Sequence, residues 1–108
     1  MKILNRTSKD RFNCVKWVRN RIPNLPFGVW TIWNKKKIID TDNAKIGRVA
    51  VIKTGRIWGH LAIVTKAGKN VLTINEANWI KGAITERTGN KRDLKIIGFF
   101  NPQKKHWQ

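Results

Sequence analysis

The chain has 108 residues of which 41% are hydrophobic, enough for one core and too apolar for a disordered polymer. It holds no run of 18 apolar residues, which excludes a membrane-spanning helix, and its single cysteine excludes an internal disulfide. Lys and Arg outnumber Asp and Glu by 23 to 6, and a net charge of +17 points to a polyanionic partner: nucleic acid, an anionic membrane or an acidic wall polymer.

Residues 1–11 carry Lys2, Arg6, Lys9 and Arg11 and few apolar side chains. They read as an exposed lead-in, without the long apolar stretch of a secretory signal. From Asn13 the pattern changes. Val15, Val18 and Ile22 recur on one helical face, Asn13 suits the N-cap, and Pro23 stops the helix. Cys14 then stands at the first helical position, where unpaired amides and the helix dipole favour a thiolate.

Pro23, Pro26 and Gly28 mark a loop. A short second helix is expected next, with Trp30 and Trp33 on its core side ahead of the run Lys35-Lys36-Lys37. Asp40-Thr41-Asp42-Asn43 reads as a turn, because the full spacing of a calcium-binding loop is absent. From Gly47 the chain becomes β. Val49–Ile52 is a buried strand, and Ile57 to Val64 is an apolar run with His60 just after Gly59. Ala67 to Asn70 form a hairpin turn. In the following strand the period of two puts Leu72, Ile74, Glu76 and Asn78 on one face. A further strand covers Ala83 to Arg87, and a last one Leu94 to Phe100. The tail, with His106, is polar and basic apart from Trp107.

Leu72 and Ile74 must face the core, so Glu76 and Asn78 are delivered inward too. A buried carboxylate needs a partner. His60 on the neighbouring strand is one, and Arg87 is the other. Cys14 and His60 are together the minimum for a thiol nucleophile with its base. The bland alternative is an inert buried thiol and a satisfied core histidine.

The stretches Asn13 to Val18, Ile46 to Val51, Gly59 to Val64 and Glu76 to Trp79 resemble, in this order, the CHAP domain, the cysteine- and histidine-dependent amidohydrolase/peptidase family. The likeness runs from about Asn13 to Pro102. It implies an α+β, papain-like fold, with N-terminal helices packed on a small antiparallel β-sheet. It implies one catalytic domain over residues 1–108, with a core at about 13–102 and basic extensions. Cys14 would be the nucleophile, His60 the general base, Glu76 the residue that orients the imidazole, and Asn78 an accessory polar group. Asn13 stands where members commonly have Gln, so its amide with the Cys14 N–H would form the oxyanion hole. Arg48 replaces a usual acidic residue. The acidic residues with which some members bind calcium are missing, only Asp10 being near, so neither metal nor cofactor is expected.

Relatives of this family mostly cut bacterial peptidoglycan, and a +17 domain would hold the anionic wall by charge. The expected setting is a phage or virion-associated lysin, or an injected amidase toxin, made in the cytoplasm and acting at the wall after release or injection. The rival reading is a non-catalytic basic module that binds nucleic acid, with Trp30, Trp33 and Trp58 as stacking groups. Most of the tryptophans fall at apolar-pattern positions, which favours a core role for them.

Overall fold

Val49–Ile52 and residues 61–64 are apolar on both faces and need cover on both sides, and the fold is built to supply it. The computed structural model describes residues 1–6 and 14–103. In chain order the elements are β1 (Lys2–Arg6), α1 (Cys14–Arg21), α2 (Ile32–Lys37), β2 (Val49–Ile52), β3 (His60–Ala67), β4 (Leu72–Ala77), β5 (Ala83–Gly89) and β6 (Ile96–Phe100). The strands form one antiparallel sheet in the order β1-β5-β4-β3-β2-β6. The class is α+β, as expected.

Val49, Val51, Leu61 and Ile63 pack with Trp17 and Val18 of α1 and Ile32 of α2. Their neighbours Ala50, Ile52, Ala62 and Val64 pack instead with Leu72, Ile74, Leu94 and Phe99. The period of two therefore splits the core between the two faces of β2 and β3. The helices cover one face, α1 lying across β3 and β4, and loops that include Trp79 cover the other. Each fully buried aliphatic side chain contributes about 1.5–3 kcal/mol to this arrangement.

Several expectations are corrected. Residues 2–6 are an edge strand paired with β5, not a lead-in. All five residues are exposed, so backbone hydrogen bonding rather than burial defines the strand. The second helix does not turn Trp30 and Trp33 inward. Thr31 and Asn34 form a reciprocal capping box that starts the helix at Ile32, so the helical period buries Ile32 and Lys35. Trp30 stays 72% exposed and Trp33 58% exposed.

The apolar run before His60 is not yet strand. Gly59 has φ 67°, which breaks the extended backbone there, and Ile57 and Trp58 are exposed. Finally, β6 begins at Ile96 rather than Leu94, because Asn90 to Lys95 are held in turns, with Leu94 N–H donating to Asn90 O and Lys95 at φ 60°. Leu94 still enters the core. At 40–43 the chain makes an isolated bridge from Thr41 to Phe99 and then bends at Asp42 rather than forming a regular turn, and Arg48 braces the bend by donating to Asn43 O at 2.6 Å. Among the described residues no helix is long and apolar enough to cross a membrane.

Candidate active site

β3 and β4 pair with Ile63 opposite Asn75 and Val64 opposite Ile74. Continued toward the start of β3, this register sets Glu76 opposite Ala62, with His60 diagonal to it on the same face. On the other side Glu76 faces Thr85 while Arg87 faces Ile74, so Arg87 is the matching diagonal on β5. Diagonal neighbours lie within reach of long side chains. The wholly buried Glu76 carboxylate is accordingly held from both sides. Its Oε1 lies 3.0 Å from His60 Nε2, and Arg87 donates from Nε to Oε2 at 2.6 Å and from Nη2 to Oε1 at 2.9 Å. The two partners that the sequence offered for Glu76 are taken together.

Trp79 closes this group from above. The Arg87 guanidinium sits 3.7 Å from its ring centroid, and the His60 ring lies 5.5 Å away at 57°. Four side chains thus fix one another, and the imidazole is held directly by two of them, Glu76 and Trp79.

Cys14 heads α1, and its thiol is within hydrogen-bonding reach of the His60 ring and the Leu61 backbone N–H. Since Nε2 faces Glu76, Nδ1 is the ring nitrogen left for sulfur. Burial pushes the Cys14 thiol up, but the His60 hydrogen bond and charge, the Leu61 amide and the Lys35 charge together bring it below its ordinary value. Burial likewise opposes charge on His60, and its bonds to Cys14 and Glu76 outweigh it and raise the imidazole. For Glu76, too, burial is outweighed, by His60 and Arg87, and the carboxyl is held low. All three shifts favour thiolate, imidazolium and carboxylate in a row.

Residues 5–78 match the family profile of the CHAP domain. The chain belongs to the CHAP family. That is a family of cysteine- and histidine-dependent amidases and peptidases of peptidoglycan. No curated protein and no solved structure matches the chain significantly.

In this CHAP domain the match ends at Asn78, so Trp79 and Arg87, which hold Glu76 and His60, lie beyond it. Asn78 itself terminates β4 with φ 62°, and its Oδ1 accepts from Gly82 N–H at 2.9 Å. It also lines the cavity that His60 faces. Asn13, expected to join the Cys14 N–H in an oxyanion hole, lies outside the described residues, as does His106. Among the described residues no three His, Cys, Asp or Glu side chains converge as metal ligands do.

One residue of the site was passed over in the sequence. Lys35 is 2% exposed, and its ammonium donates to Trp30 O at 2.9 Å and Trp58 O at 2.7 Å. Burial lowers its pKa, while the charge of Cys14 works against that shift. Its position three residues after Ile32 was the available signal, obscured by the lysines that follow it. Trp30 and Trp58 were read as core; both instead stand exposed and wall a cavity of about 520 Å³ that contains the thiol.

Proposed function

We propose that this CHAP domain is a cysteine amidase or endopeptidase cleaving an amide bond of bacterial peptidoglycan, through Cys14, His60 and Glu76 in a papain-like arrangement. The observation that carries the reading is the buried His60, with Nε2 on Glu76 and its other nitrogen toward the Cys14 thiol. An inert core histidine needs no thiol partner and no raised pKa.

In the reaction the Cys14 thiolate attacks the carbonyl carbon, and the C=O electron pair moves onto oxygen. The Cys14 N–H and the Asn13 amide are the proposed donors to that oxyanion, each worth roughly 3 kcal/mol of barrier on precedent. His60 then gives its proton to the leaving amine as the C–N bond breaks, leaving a thioester. Water, deprotonated by His60, attacks the thioester, the C–S bond breaks, and the thiolate–imidazolium pair returns. Glu76 keeps Nε2 engaged throughout, so Nδ1 stays aimed at the reacting atoms. Asn78 supports the turn beside the imidazole.

The +17 charge favours retention on anionic wall polymers, and a phage-type lysin acting after release or injection is the setting this suits. A zymogram on cell-wall material with wild type and Cys14→Ser tests the reading. Clearing by wild type alone is expected; equal clearing by both, or none by either, would overturn it.

A further inference from the structure

The thiol and the imidazole open onto two different cavities. Cys14 lines one of about 520 Å³ with Val15, Trp30 and Trp58, and His60 lines another of about 540 Å³ with Thr54, Arg56, Asn78 and Lys81. Trp58 and Gly59 border both, forming the divide between them. A substrate bond attacked by Cys14 and protonated by His60 has to cross this divide. Its carbonyl side lies with the sulfur, and its amine side lies with the ring that protonates it.

The two cavities differ in available charge. On the thiol side the cations are committed. Lys35 is bound to two carbonyls, the Arg19 guanidinium donates to Pro26 O at 2.9 Å and covers Phe27, and Lys16 is also engaged. On the imidazole side Arg56 and Lys81 are exposed, and among the described residues neither side chain has a hydrogen-bond or ion-pair partner.

We propose that the cavity formed by Arg56, Lys81 and Asn78 is the leaving-group subsite, and that it selects an amine-bearing peptide with a carboxylate near the scissile bond. The acyl portion packs, uncharged, against Trp30 and Trp58. Arg56 and Lys81 thereby become specificity residues for the amine side. This inference rests on the thiol reading above, and it adds a direction: the acidic peptide leaves and the neutral acyl group stays on sulfur.

The direction is tested without the natural substrate, because an acyl-enzyme runs the same step backwards. p-Nitrophenyl acetate acetylates Cys14 and releases nitrophenol. An added dipeptide then competes with water: its amine attacks the thioester carbon, the C–S bond breaks, and the amine proton passes through His60 as the thiol is restored. The measured quantity is the ratio of acetyl-dipeptide to acetate, with the C-terminal amides of alanyl-glutamate and alanyl-glutamine as rival acceptors, so that only the first carries a carboxylate. Normalising to the nitrophenol burst removes any loss of folded enzyme in a variant.

Alanyl-glutamate amide is expected to be captured roughly five- to tenfold better than alanyl-glutamine amide at low salt, the size that two exposed charge contacts supply. The preference is expected to shrink toward unity in Arg56→Ala/Lys81→Ala and at high ionic strength. Equal capture of both dipeptides by wild type, capture of neither, or a preference retained by the double variant would overturn the inference while leaving the nucleophile in place. Absence of any nitrophenol burst in wild type would overturn the thiol reading and this inference with it.

Discussion

The Lys35 ammonium donates a 2.7 Å hydrogen bond to the Trp58 carbonyl, two residues before His60. Its second bond, to Trp30 O, ties the other wall of the thiol cavity to the same nitrogen. One buried cation therefore sets the cavity width and contributes positive charge beside the thiolate. Lys35→Met leaves two carbonyls without their charged donor, at an expected cost of about 2–4 kcal/mol. Urea unfolding measures that loss. Alkylation against pH reads the second effect, which is a Cys14 midpoint moved upward. An unmoved midpoint in a folded Lys35→Met would show that the lysine acts on shape alone.

Cys14 should react with iodoacetamide at pH 6–7 much faster than an ordinary thiol, whose midpoint is about 8.5. The sign follows from the two shifts: the thiol is held low and the imidazole high, so the ion pair fills the interval between them. His60→Ala removes the main opposing charge and should return the midpoint toward the ordinary value. Cys14→Ala should lose lysis and keep its Tm within a few degrees. A wild-type midpoint near 8.5 would contradict the ion pair.

Glu76→Gln takes the counter-charge from both His60 and a mostly buried Arg87, and should cost about 3–5 kcal/mol at neutral pH. A carboxylate held low in the folded state stabilises above its unfolded pKa, about 4.3, and loses that contribution as pH falls through its folded value. The gap between wild type and Glu76→Gln should therefore narrow in acid, as unfolding at pH 7 and pH 3 would show. Arg87→Met added to Glu76→Gln should recover part of the stability and none of the activity. Additive losses in the double variant would argue against the coupling seen in the geometry.

Gly59→Ala should uncouple activity from mere folding. The residue has φ 67°, and a Cβ there would meet Ile32 Cδ1 at 2.7 Å and Cβ at 3.2 Å. The expected destabilisation is about 1–3 kcal/mol, from strained backbone and overpacking together. Because His60 is the next residue, kcat should fall far more than the folded fraction. A folded variant with wild-type kcat would show that the start of β3 tolerates movement.

What the sequence revealed of this site came from periodicity. Leu72 and Ile74 fixed the inward face, and Glu76 followed on it; β2 and residues 61–64 of β3 were legible because they are apolar without interruption. The alternation could not say that two diagonals reach one carboxylate, since that depends on register across three strands. β1 was hidden for the opposite reason: its pairing lies in the backbone, and none of its side chains is buried. The tryptophans misled because an exposed aromatic beside a cavity has the same local pattern as a core aromatic. Trp17, on the inner face of α1, is 3% exposed, and Trp58, in the loop before β3, is 58% exposed.

The doubly paired Glu76 carboxylate and the lowered thiol share a property that no single residue carries. Cys14 comes from the first helix, His60 from the third strand, and Arg87 from the fifth, so the charge relay exists only once the whole sheet has closed over α1. Before that moment the cysteine is an ordinary thiol, mostly protonated at neutral pH. A chain still emerging, or threaded unfolded through a narrow passage, is chemically quiet toward its surroundings. Reactivity switches on only when these elements have come together, which makes the fold its own safety catch.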